Sequence, residues 1–162
     1  MQTLTKHKLD SARHLFVVDA ENVVGTPSVT NEAAQQMLRQ LEEAFSTFSN
    51  AHKVIASSHY AARTSAFAFF GLRQIWRSGV DGADLALINV LANERVEQRF
   101  THVTICSGDG IFADVASWLS SHGVHVTVLV GRGRLSARLA LVAHEVVYLV
   151  DELSGANYGE AA

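Results

Sequence analysis

Leu15-Phe16-Val17-Val18-Asp19 constrains this chain more than any other stretch. Four apolar residues in a row, two of them β-branched, read as a strand covered on both faces. The run stops on a carboxylate, Asp19, with Asn22 three residues later in the turn to a first helix. A strand buried on both faces belongs to a parallel sheet with helices on each side, and such sheets bind ligands at the carboxyl ends of their strands.

The rest of the chain alternates accordingly. Strands are expected at His14–Asp19, Lys53–Ser57, Leu72–Arg77, Thr101–Cys106, Val124–Val130 and Glu145–Val150. The polar/apolar alternation of Leu72–Arg77 places Leu72, Gln74 and Trp76 on one face and Arg73, Ile75 and Arg77 on the other, as on an edge strand. Helical spacing of apolar residues runs from Val29 to about Phe48, opened by Pro27 or Ser28. Further helices are expected at Tyr60–Phe70, closed by Gly71, and at Leu85 to about Glu97, Ile111–Ser121 and Ser136–Val142. This is an α/β chain: a three-layer α/β/α domain of Rossmann-like build around a mostly parallel sheet of five or six strands. The domain spans residues 14–150, between an N-terminal arm (1–13) and a C-terminal tail (151–162).

With 162 residues, 48% of them hydrophobic and 18% charged, the chain suits one folded domain. Its net charge of −3 gives no overall pull toward polyanions, so an anionic partner has to be met by a local basic patch. No apolar run is long enough for a transmembrane helix, and MQTLTKHKLD lacks the apolar core of a signal peptide. The single cysteine, Cys106, sits in an apolar run and has no internal partner, which fits a cytoplasmic location. The eight histidines show no zinc-site spacing.

Carboxylates collect at the strand ends. Asp19 ends the first strand, and Asp109 follows the fourth through Ser107-Gly108. Asp81 and Asp84 lie where the helix after the third strand begins, and their spacing of three gives them one helix face. Asp114 follows Asp109 by about a turn. Neither Asp19 nor Asp109 occupies an obvious capping position. Converging carboxylates repel unless a cation neutralises them, and hard oxygen ligands suit Mg²⁺ or Mn²⁺ rather than zinc. The chemistry such a centre serves best is phosphoryl transfer. Arg132, Arg134 and Arg138 form a basic cluster near a strand's carboxyl end, suited to holding phosphates. Arg63, with His59 and Tyr60, is a second candidate group for holding a phosphate or stacking on a base, beside the plainer reading of a solvated helix start. Ser107 is not in a G-x-S-x-G setting and reads as a ligand to backbone or water, within the same RNA-binding set, rather than a nucleophile. Gly131-x-Gly133 lacks the third glycine, and the first-strand position, of a dinucleotide loop.

VVDAENV, SGVDGADLALINVL and VTICSGDGIFADVASWLSSHGVHVTVLV resemble, in order and spacing, the signature blocks of NYN domains in the PIN-like nuclease superfamily. GRGRLSARLALVAHEVVYL is similar to the way such domains end. The resemblance covers roughly residues 14–150. It implies a metal-dependent ribonuclease acting through a Mg²⁺ or Mn²⁺ centre. Its catalytic set falls on Asp19, on Asn22, on Asp81 or Asp84 as the middle acid, and on Asp109, with Asn22 orienting a water or phosphate. On the enzyme reading Asp19, Asp84 and Asp109 hold the metal, with Asp81 and Asp114 as outer or second-site ligands. Many members read S-G-D-x-D-F, and the second Asp of that block is Ile111 here. The alternative is an NYN-like module of weak or no activity that binds RNA or a protein. The expected partner is RNA, single-stranded or structured. No membrane partner is expected, and self-association stays open.

Overall fold

The computed structural model describes residues 13–149. The expected arm and tail therefore lie outside the described residues, apart from Arg13, and so does Val150.

Six strands form one parallel sheet: β1 (His14–Asp19), β2 (His52–Ser57), β3 (Arg73–Trp76), β4 (His102–Cys106), β5 (His125–Val130) and β6 (Glu145–Tyr148). Their order is β3-β2-β1-β4-β5-β6, parallel at every pairing. The helices are α1 (Ala20–Val24), α2 (Asn31–Ala44), α3 (His59–Ser65), α4 (Gly82–Asn93), α5 (Val96–Arg99), α6 (Ala113–Ser121) and α7 (Ala137–Val142). Every residue of β1 is buried, because the side chains of this central strand alternate between two cores. Phe16 and Val18 pack with Met37 and Leu41 of α2 and Ala61 of α3. Leu15 and Val17 pack with Leu87 and Leu91 of α4 and Leu119 of α6. The result is the expected three-layer α/β/α arrangement.

The strand order reverses direction between β1 and β4, which are hydrogen bonded with Val18 opposite Cys106. Asp19 and Ser107 thus leave the sheet side by side at its topological switch point, where neighbouring connections run to opposite faces and open a crevice.

Several boundaries differ from expectation. α2 opens at Asn31 rather than at Pro27 or Ser28, because the Thr30 hydroxyl accepts the Ala33 N–H at 3.1 Å and caps it. It ends at Ala44, and Phe48 belongs to a short 3₁₀ turn, Phe48–Asn50. α3 stops at Ser65, with Ala66 rather than Gly71 at its C-cap. Thr64 Oγ1 there donates to the Val29 carbonyl at 2.6 Å, and a series of turns follows to Gly71 (φ 82°). The expected helix to Glu97 breaks at Arg95 (φ 54°), leaving α5 as a separate turn. A 3₁₀ turn, Gly110–Phe112, precedes α6. β3 is an edge strand as expected, with Leu72 packed in one core and Ile75 in the other.

Histidines scattered along the sequence meet at the opposite, amino-terminal rim. Ring centroids lie 5.8 Å apart for His14–His102, 5.1 Å for His102–His125 and 4.7 Å for His125–His144. Among the described residues no helix is long and apolar enough to cross a membrane. Cys106 is a buried free thiol, and burial pushes its pKa up.

Candidate metal centre

Each carboxylate is set by backbone its own neighbours define. Asp19 is extended and caps α1: its Oδ1 accepts the Asn22 N–H at 3.2 Å. Asp109 caps the following 3₁₀ turn, with Oδ1 accepting the Ile111 N–H at 3.0 Å. Both are therefore caps, contrary to the sequence expectation. Bonds of only two or three residues' span fix these side chains, a pattern that apolar periodicity does not report. Asp81 stands before α4 in the left-handed region (φ 55°), and its side chain caps nothing. That backbone is uncommon for a residue with a Cβ. Asp84, one turn on, points inward.

Ligand oxygens of Asp81, Asp84 and Asp109 all lie within 4.8 Å of one another. Asp84 is 7% exposed, and its buried Oδ1 meets no hydrogen-bond partner. An anionic oxygen without a donor is costly to bury. Burial first, then the hydrogen bond and charge of Asp19, then the charges of Asp109 and Asp81, push the Asp84 pKa up to about 8. Burial also raises Asp19. The Asp19 and Asp84 carboxyl groups line one cavity and perturb each other. Hard oxygen donors at this separation, one of them buried and unsatisfied, fit a divalent cation.

The turns bearing these acids are tied together. Asn22 Oδ1 accepts the Gly108 N–H at 3.1 Å, across 86 residues of chain. The oxygen that the resemblance assigns to a water or phosphate is thus used inside the protein. Ser107 Oγ accepts the Asp109 N–H at 3.3 Å. Ser107 is fully buried, and its hydroxyl serves the backbone. A Cβ on Gly108 would sit 2.1 Å from the Arg134 carbonyl oxygen, and one on Gly133 would sit 2.7 Å from Asn22 Oδ1. The basic loop therefore packs directly on the acid-bearing turns. Its Arg132 and Arg134 are exposed.

Three of the expected residues lie apart from the acidic cluster. The Asp114 side chain is 93% exposed and lies 3.1 Å from the guanidinium of Arg138, a solvated pair. Asp114 does not join the cluster, and Arg138 is engaged by Asp114. Arg63 is exposed on α3, away from the carboxylates' immediate cavity. That cavity, of about 230 Å³, is lined by Asp19, Glu21, Asn22, Asp81, Asp84 and, unanticipated, Arg77. Glu21 Oε1 accepts the Ser58 N–H at 2.7 Å and joins α1 to the N-cap of α3. The strand alternation that placed Arg77 opposite Trp76 was the available signal for it.

No family model matches the chain, and no curated protein matches it. Among solved structures, it is similar to a protein of unknown function from Vibrio parahaemolyticus. The two are 17% identical, with a TM-score of 0.55 over 88% of this chain and 96% of that one. The MAR1 ribonuclease from Caenorhabditis elegans aligns over 74% of this chain and 63% of its own, at 15% identity and a TM-score of 0.39. The Vibrio likeness concerns the fold, and the acidic cluster rests on this chain's own geometry.

Proposed function

We propose that this protein is a metal-dependent ribonuclease of the NYN type within the PIN-like superfamily, hydrolysing RNA phosphodiester bonds at the acidic cluster. The observation that carries the reading is the meeting of Asp81, Asp84 and Asp109 within 4.8 Å, around a buried carboxylate oxygen that has no donor. The sequence blocks that resemble NYN domains bear these same acids. Asp81, Asp84 and Asp109 would hold Mg²⁺ or Mn²⁺, with Asp19 behind Asp84. When bound, the cation supplies Lewis-acid chemistry, stabilising charge on the phosphoryl group and acidifying a water.

The chain's own residues prepare the rest. Asp84, whose pKa burial and the neighbouring carboxylates push up, would be the ligand whose charge a bound cation stabilises most. Asp19, which lines the same cavity, would be a further carboxylate toward the cation. Asn22 and Ser107 keep the two loops rigid, so the acids keep their spacing under mutual repulsion. Arg132 and Arg134 hold RNA phosphates beside the centre, a local basic patch on a protein of net charge −3.

A second reading is a non-catalytic module that binds RNA or a protein. Ile111 favours it: where the resemblance places a further acid, this chain packs an apolar side chain against the core. Cleavage of single-stranded RNA in Mn²⁺ or Mg²⁺ by wild type and Asp19→Asn decides between them. Asn retains the cap of α1 while removing the charge. The ribonuclease reading expects cleavage by wild type and none by the variant. Equal absence of cleavage, with RNA still bound, leaves the binding module.

A further inference from the structure

The only guanidinium lining the acidic cavity, Arg77, has no ion pair with any described residue. Four carboxyl residues line the same cavity: Asp19, Glu21, Asp81 and Asp84. The backbone explains why Arg77 does not simply neutralise them. Its N–H donates to the Ser57 carbonyl at 3.2 Å, extending the β2–β3 ladder by one residue. Its carbonyl passes so close to Gly82 that a Cβ there would lie 2.6 Å away, with Arg77 Cγ 3.4 Å away. Arg77 is thus locked at the start of α4 with an exposed side chain. A cation held beside an acidic floor yet bonded to none of its carboxylates is available to a ligand's phosphate.

Aromatic surface adjoins it. Trp76 precedes Arg77 at the end of the edge strand and is 48% exposed. It shares the sheet face of Leu72, the face covered by α3. Tyr60, in the first turn of α3, is 69% exposed. The His59 ring, one residue before it, hydrogen bonds to the Ser78 hydroxyl, two residues after Trp76. The loop after β3 and the start of α3 are therefore joined, with an aromatic exposed on each. Arg63 follows Tyr60 by three residues, on the same side of α3. Trp76 and Tyr60 stand on the α3 side of the strand end and Arg77 on the α4 side, at the cavity. Exposed aromatics and arginines gathered at one rim of the sheet match unpaired bases on a phosphate backbone better than an apolar protein surface.

We propose that Arg77, Trp76 and Tyr60 form the subsite that grips the RNA on one side of the cleaved bond, Arg77 holding a phosphate and the two aromatics stacking unpaired bases. The inference rests on the ribonuclease reading above. It makes the substrate single-stranded on the β3 side of the cavity, since paired bases present no free faces for stacking.

The chain has two tryptophans, so Trp118→Phe leaves Trp76 as the sole indole reporter. That protein is titrated with a single-stranded oligoribonucleotide and with a duplex of the same sequence, in Ca²⁺, across a salt series. Cleavage in Mn²⁺ is measured on the same preparations. The single strand is expected to quench Trp76 emission and the duplex to leave it unchanged. Arg77→Gln is expected to weaken single-strand binding about tenfold, as for one lost charged hydrogen-bonding group. It also flattens the salt dependence by ~0.7 in log–log slope, which Arg77→Lys restores. Tyr60→Ala weakens binding without changing that slope. Binding that leaves Trp76 emission unchanged, with Arg77→Gln as tight as wild type, overturns the subsite even where wild type cleaves RNA. A wild type that sediments as a dimer, and as a monomer after Trp76→Ser, also overturns it, because a second copy then covers this face. Failure of cleavage with Trp76 quenching and the Arg77 slope intact removes the ribonuclease reading and leaves the subsite as an RNA-binding surface.

Discussion

Asn22 and Gly108, 86 residues apart, are joined by a hydrogen bond of 3.1 Å between the Asn22 side-chain oxygen and the Gly108 N–H. This bond couples the turn that follows Asp19 to the turn that carries Asp109. Replacing Asn22 by Ala should cost about 1–2 kcal/mol of stability, since the partly buried Gly108 N–H loses its acceptor. RNA cleavage should fall further than stability alone accounts for, as Asp109 loses its fixed distance from Asp84. Denaturant unfolding and a cleavage assay on the same variant check both parts.

Metal-free stability should fall as pH rises through the neutral range. The folded-state pKa of Asp84 is raised to about 8 from an ordinary value of 3.8. The folded protein therefore keeps a proton that the unfolded chain releases, so this contribution is full below about 4 and is lost as pH rises toward 8. The expected loss between pH 6 and pH 8.5 is up to a few kcal/mol, on the order of what a buried, crowded carboxyl gives. Asp84→Asn should flatten that part of the profile. Mn²⁺ should raise the melting temperature more at pH 8.5 than at pH 6. A profile rising from pH 6 to 8.5, or one unchanged by the substitution, would refute the assignment.

The opposite rim should make the protein acid-sensitive in a separate window. Burial first, then the charges of His102 and His125, lower the His14 pKa from 6.5 to about 4. The neutral ring sits between the hydroxyls of Thr104 (2.7 Å) and Thr47 (2.9 Å). A depressed folded-state pKa gives stability that is present above 6.5 and lost as pH falls toward 4. His14→Gln retains a hydrogen-bonding side chain and should flatten the decline over that range. Thermal melts from pH 4 to 7 measure it.

Gly108→Ala should be among the more damaging small substitutions in the chain. Its Cβ would lie 2.1 Å from the carbonyl oxygen of Arg134 and 2.8 Å from the carbon, both backbone atoms. Either the Gly108 turn or the basic loop has to move, at a cost of about 1–3 kcal/mol. Cleavage should fall with it, and a melt compared with wild type tests the packing directly.

Asp114→Asn should leave both metal affinity and cleavage at wild-type levels. The side chain is largely solvated and its partner is Arg138, an exposed ion pair of small worth. Calorimetric titration with Mn²⁺ reads this out, and a marked loss of affinity would place Asp114 back among the ligands.

Strand-forming runs and their terminal acids were legible along the chain, because each is a local pattern. Leu15–Asp19 announces a doubly covered strand, and the alternation around Trp76 announces an edge. Asp19, Asp84 and Asp109 are legible for the same reason: each stands beside a strand or helix boundary. What the sequence could not decide is which of these acids meet. Asp114 follows Asp109 by five residues and is solvated, whereas Asp81 lies 28 residues before Asp109 and joins it. That outcome depends on the β1–β4 switch point and on the angle at which α4 leaves the β3 loop through Asp81's left-handed backbone. Arg77 was legible as one face of a strand, and the crossover to Gly82 put it at the cavity. The histidine row has the same origin, since the parallel register sets His102 opposite both His14 and His125. Local chemistry fixes strands, caps and turns; only the packing of the sheet brings distant charges into one electrostatic field, and there burial and mutual repulsion give them new properties.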